Sequence, residues 1–242
     1  MRRRIVFLVC MSLFFTRVFA EDTAESLLAK GNEAREAGRQ EEAISYYKQA
    51  IEKRPTINIV HINLGIAYMN LGKFKEARDA FKGAIGINPN DALAHYNLGV
   101  AYGKLGNYQE GVNAFKKAIS INPNYADAYY TLGSSYIMLG KYQDAVNIYK
   151  KYIDINPDFP YAYVNLGHAY RELGSYKDAV GAFKQAIKIK PDFAKAYFNL
   201  WITYVVLGDK DSALDQHKIL EKIDKDLANK LFEKISEDKA EK

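Results

Sequence analysis

Glycine recurs at Gly38, Gly72, Gly106, Gly140, Gly174 and Gly208, at a constant spacing of 34 residues. Proline keeps the same period at Pro55, Pro89, Pro123, Pro157 and Pro191, each 17 residues after one of those glycines. A fixed period of this length is the signature of a stacked repeat array, in which each unit buries its apolar face only against its neighbours. Registering on the glycines gives six units at 24–57, 58–91, 92–125, 126–159, 160–193 and 194–227. Such arrays present extended surfaces to other macromolecules.

Within a unit the apolar spacing is helical. In the third, Leu98, Ala101, Tyr102 and Leu105 lie on one stripe, and Tyr108, Val112, Phe115, Ala118 and Ile119 on a second. Gly106 between them suits the left-handed residue that ends a helix. Pro123 stops the second helix and pushes Asn122 out of the helical region. Thr56, Asn90, Asn124, Asp158 and Asp192 follow the prolines and are expected to cap the next helix. The expected fold is all-α, an α-solenoid of helix-turn-helix repeats.

These residues also carry a family resemblance. The second unit has Leu64-Gly65, Tyr68, Ala77, Phe81, Ala84 and Pro89, and the third has Leu98-Gly99, Tyr102, Gly111, Phe115, Ala118 and Pro123. The fourth has Leu132-Gly133, Tyr136, Ala145, Tyr149 and Pro157, and the fifth Leu166-Gly167, Tyr170, Ala179, Phe183, Ala186 and Pro191. This resembles the tetratricopeptide repeat, with its W-x2-L-G-x2-Y, A-x3-F and P positions. The end units depart from it. The first has Lys30 and Ala34 for leucine and tyrosine; the sixth has Trp201 for glycine and Lys225 for proline. Past the missing stop, Ala228, Leu231, Phe232 and Ile235 form a helical stripe, so 228–235 reads as a C-terminal capping helix. Residues 236–242 read as a disordered polar tail.

The first twenty residues stand apart. Arg2, Arg3 and Arg4 precede an apolar run from Ile5 to Phe15, and Val18-Phe19-Ala20 suits a cleavage site. This is the pattern of a secretory signal peptide, which places the mature protein in the periplasm or outside the cell. The alternative is a membrane anchor through residues 5–20, holding the repeats to a membrane complex. Removing residues 1–20 takes away four arginines and no acid, leaving 30 basic against 29 acidic residues and a net charge of +1 in place of +5. That balance argues against a nucleic-acid partner, as does the undrifting 34-residue period, since RNA-reading helical repeats run slightly longer. Cys10 is the only cysteine, so the mature chain has no disulfide, thiolate metal site or cysteine nucleophile. His61, His95, His168 and His217 are scattered over the units, and no metal, cofactor or catalytic constellation is expected. The chain reads as a non-enzyme.

The resemblance implies a concave groove lined by the first helix of each unit, taking a partner peptide or helix. It puts Ile62, Tyr96, Tyr130, Val164 and Phe198 at one level, then Ile66, Val100, Ser134, His168 and Ile202, then Met69, Gly103, Ile137, Arg171 and Val205. Tyr161 joins Tyr96 and Tyr130 as a candidate for partner contact. Asn63, Asn97, Asn165 and Asn199 stand in register, with Thr131 on the missing rung. The row resembles the asparagine ladder in the repeat region of O-linked N-acetylglucosamine transferases, and a carboxamide can clamp an extended backbone. Lys104, Arg171 and Lys195, mixed with Asp127 and Glu172, are too dispersed for a charge-driven carboxylate clamp. The expected role is a protein-protein interaction scaffold, in envelope assembly or secretion. A second copy of the chain is the alternative partner.

Overall fold

The computed structural model describes residues 22–229, and every regular element among them is an α-helix. Two compact units divide the chain, residues 1–90 and 91–242. The first holds α1 (Ala24–Glu36), α2 (Gln40–Lys53), α3 (Asn58–Asn70) and α4 (Phe74–Ile87). The second holds α5 (Ala92–Lys104), α6 (Tyr108–Ile121), α7 (Ala126–Met138), α8 (Tyr142–Ile155), α9 (Pro160–Glu172), α10 (Tyr176–Ile189), α11 (Ala194–Leu207) and α12 (Lys210–Ile223). Each odd-numbered helix pairs with the even-numbered one after it.

The turn inside each pair is dictated by glycine. Gly106 has φ +78°, and its amide bonds the Gly103 carbonyl at 3.1 Å while the Asn107 amide bonds that of Tyr102 at 2.9 Å. These are the two bonds of a Schellman motif, which an L-residue would enter only with strain. The interface inside each pair rests on a second glycine. A Cβ on Gly167 would lie 2.5 Å from Phe183 Cε1, and one on Gly99 2.6 Å from Phe115 Cε1. The aromatic ring therefore occupies the volume that the glycine leaves empty.

Stacking between pairs is shared by apolar and polar contacts. Val112, Phe115, Leu132, Tyr136, Tyr149 and Leu166 belong to one buried cluster that runs from α6 to α9. A lysine of one pair also reaches over a tyrosine of the next: Lys48 over Tyr68 at 5.9 Å, Lys116 over Tyr136 at 5.7 Å, Lys150 over Tyr170 at 5.6 Å and Lys184 over Tyr204 at 5.9 Å. At exposed sites such a contact is worth about 0.5–1 kcal/mol, and it recurs from pair to pair.

Helix starts differ from the sequence expectation by one residue. The N-caps are Ile57, Asp91, Tyr125, Phe159 and Phe193, in place of Thr56, Asn90, Asn124, Asp158 and Asp192. The chain makes an additional turn after proline: the Asn88 side chain accepts from the Asn90 amide at 3.1 Å, and Asn122 from the Asn124 amide at 3.2 Å. Of the five cap residues, only Asp91 also caps through its side chain, accepting from the Ala94 amide at 3.0 Å. Tyr125, Phe159 and Phe193 exchange that bond for aromatic packing.

Beyond α12, residues 225–229 are helical, so the last helix begins before Ala228. Asp224 caps it, its side chain accepting from the Leu227 amide at 3.0 Å, and Ala228 is buried in the cluster that contains Leu220 and Trp201. The remaining stripe residues Leu231, Phe232 and Ile235, the tail at 236–242 and the leader at 1–20 lie outside the described residues. No helix among the described residues is long and apolar enough to cross a membrane.

Candidate functional site: the first-helix face

Within each unit, consecutive first helices touch one another: α1 with α3, α5 with α7, α7 with α9 and α9 with α11. Within each unit no second helix touches another second helix among the described residues. First helices therefore form the inner row of each unit, and the face they present is the one that the resemblance designates as a groove.

Ile62 and Val164 are core on this face. Ile62 is 1% exposed and Val164 is also buried, so neither is available to a partner. Ile66, Tyr96, Val100, Tyr130 and Phe198 are half-buried. Tyr161 is 41% exposed, as are Leu93 at 42%, Met138 at 59% and Val205 at 45% on the same helices. Tyr96 and Tyr130 are wedged by rings that the repeat pattern assigns to neither core nor site. Tyr125 lies 5.0 Å from Tyr96, Phe159 5.4 Å from Tyr130, and Phe193 4.7 Å from Tyr161. The 34-residue spacing of Tyr125, Phe159 and Phe193 is the signal that could have revealed this row. Burial pushes the Tyr125 phenol up to about 12 and raises that of Tyr130, against a bond from Asn165. Both stay neutral near pH 7.

The asparagine row faces its own repeats. Asn165 Nδ2 donates to the hydroxyls of Tyr130 and Tyr149, each at 3.1 Å, which uses both of its N–H groups. Tyr149 also shares a 2.9 Å bond with Ser134. Asn63 donates to Asn32 Oδ1 at 2.8 Å, and Tyr47 donates to the same oxygen. Asn97 and Thr131 bond backbone carbonyls of their own helices, Leu93 at 2.9 Å and Asp127 at 2.8 Å. Asn199 bonds Lys195 O at 2.8 Å and accepts from Arg171 at 3.0 Å. Asn63 and Asn199 are moreover buried. Asn63, Asn165 and Asn199 thus tie adjacent pairs together, and Asn165 has both amide N–H groups engaged in doing so.

Charge gathers at α9 and α11. Arg171 lies 3.7 Å from Glu172, and His168 Nε2 3.5 Å from the same carboxylate. Burial, followed by the Arg171 charge, holds the His168 imidazole below its ordinary value, and burial also lowers Arg171. Lys195 instead stands over the Tyr161 ring at 6.0 Å. These groups already compensate one another, which leaves no convergent cationic pocket there.

Between α5 and α7 the face opens into a cleft of about 230 Å³ lined by Gly99, Val100, Gly103, Lys104, Tyr108, Phe115, Thr131, Ser134, Ser135 and Met138. Gly99, Tyr108, Phe115, Ser135 and Met138 are not among the groove residues expected from sequence.

A tetratricopeptide repeat model matches residues 92–125 and another matches 114–147. A TPR repeat model matches 31–72, 67–106, 133–170 and 167–208, more than half of the chain. A crystallised MamA protein is 32% identical over 71% of this chain and 94% of its own, with a TM-score of 0.67. The TPR protein YrrB shares the fold at 22% identity, covering 77% of this chain and 97% of its own, TM-score 0.68. So does a tetratricopeptide repeat protein from Parabacteroides merdae ATCC 43184, at 21% identity, 87% and 88% coverage and TM-score 0.71. No curated protein matches the chain. With paired helices, left-handed glycines and ring-over-glycine interfaces in register with these matches, the chain belongs to the tetratricopeptide repeat family.

Proposed function

We propose that this protein is an exported, non-enzymatic scaffold that holds a partner polypeptide against the first-helix face of residues 91–229. The observation that carries the reading is the set of large apolar side chains left uncovered there, Leu93, Met138, Tyr161 and Val205. Their recurrence on four successive first helices, α5, α7, α9 and α11, suits an interaction surface. The relative YrrB is described as having an unusual peptide-binding site, which is consistent with a peptide as ligand class. Export rests on the leader at residues 1–20 and gives the scaffold a role in envelope assembly or secretion. The near-neutral mature chain speaks against nucleic acid.

Tyr96 and Tyr130 are poor probes of this reading, because their rings are half-buried in the array. Tyr161 and Val205 are better. Tagged protein recovered from its native cells should retain a co-purifying polypeptide when Asn147→Glu alters the second-helix surface. It should lose at least about nine-tenths of it in Tyr161→Ala/Val205→Glu, a tenfold change in affinity being about 1.4 kcal/mol. Mass spectrometry of the same sample should give a mature N-terminus near Glu21. A partner retained by the double variant contradicts the binding face, and an intact Met1 contradicts cleavage of the leader.

A second reading is favoured by one further observation. Val206, Leu207, Leu214 and Ile219 are also exposed, on the last helix pair, and would suit self-association. Sedimentation that stays monomeric on concentration eliminates it.

A further inference from the structure

Glycine at position 103 has no structural reason to be there. It sits inside α5, its φ is not positive, and a Cβ built on it meets nothing within 4 Å. A helix pays conformational entropy for such a residue. The equivalent position in the other repeats carries Arg35, Met69, Ile137, Arg171 or Val205. Gly86 and Gly181 are equally unobstructed, but they lie on exposed second-helix surface. Gly103 alone of the three borders the cleft between α5 and α7.

The chemistry of that cleft is narrow. Ser134, Ser135 and Thr131 each turn their hydroxyl to a carbonyl of α7, at 3.1, 2.9 and 2.8 Å. With those donors engaged, Val100, Phe115, Met138 and the bare Gly103 backbone give an apolar lining. Met138, more than half exposed at the rim, is an unbranched side chain able to adapt to what enters. A volume of about 230 Å³ falls below the roughly 300–1,000 Å³ of small-molecule sites, but it accommodates one bulky side chain. The only formal charge in the lining is Lys104, which is exposed.

We infer that this cleft is the anchor pocket for a partner peptide that carries one large apolar side chain with a carboxylate next to it. The apolar group fills the space that Gly103 leaves, and Lys104 at the rim meets the acid. The inference deepens the binding-face reading and rests on it.

The test uses the full chain with ¹³C-labelled methionine methyls, so that Met138 reports from the pocket. The probe is a blocked Gly-Ser-Phe-Asp-Ser-Gly peptide, with Phe-to-Ala and Asp-to-Lys versions as controls. The first peptide should shift the Met138 methyl saturably in the millimolar range, and the Ala version should bind at least about tenfold more weakly, as loss of a buried aromatic anchor does. Gly103→Leu should abolish the shift while raising Tm by roughly 2 °C through helix propensity, which separates a filled pocket from a damaged fold. Lys104→Glu should reverse the preference between the Asp and Lys peptides. Binding unchanged by Gly103→Leu overturns the assignment. So does a Met138 shift produced by protein concentration alone, which gives the cleft to a second copy. If peptide moves Met69 and leaves Met138 still, the pocket assignment falls. The binding-face reading is judged separately, by co-purification with Tyr161→Ala/Val205→Glu.

Discussion

Phe183→Ala should destabilise the chain by about 3–5 kcal/mol, the range for deleting a fully buried aromatic ring, and urea unfolding followed by circular dichroism will read it. The ring is 0% exposed and fills the slot over Gly167, in one cluster with Val164, Leu200 and Trp201. The converse change is also unfavourable. Gly167→Ala puts a methyl against that ring and should cost about 1–3 kcal/mol. The two sites share one volume, so Gly167→Ala combined with Phe183→Leu should lose clearly less than the sum of its parts. Strict additivity would show that the ring-over-glycine fit does not set the interface.

The sixth pair supplies the second large effect. There Trp201 stands on the first helix where other pairs have the small residue, and His217 on the second helix where they have the ring. Bulk has moved from one helix to the other. Trp201 is buried and His217 is largely so. Trp201→Gly should therefore cost about 3–5 kcal/mol. Adding His217→Phe restores the arrangement of the other pairs and should recover a substantial part of that loss in the same urea titration. A double variant as unstable as Trp201→Gly alone would show that the exchange is not compensatory.

These two cases indicate what was legible in the sequence. The glycine turns, helix pairs and interface rings repeat every 34 residues, so the period exposes them without any knowledge of neighbours. Helix starts were misplaced by one residue because Asn88 and Asn122 fold the post-proline amides into a local turn, and cap propensity alone does not reveal that competition. The asparagine row was visible in register, yet its direction was not. Whether Asn165 faces a partner or the hydroxyls of Tyr130 and Tyr149 depends on residues 16 and 35 positions away. Ile62 and Val164 carried the right pattern for the face and still proved to be core, since one helix stripe serves both the packed and the open side. The cleft at Gly103 is a missing side chain, detectable only by comparing repeats at one register position.

Site-directed photo-crosslinking measures most directly which face holds the partner. A benzophenone side chain placed at Tyr161, on the first-helix face, should capture the partner polypeptide. The same group at Asn147, exposed on α8, should capture none. Capture from Asn147 with nothing from Tyr161 would contradict the account.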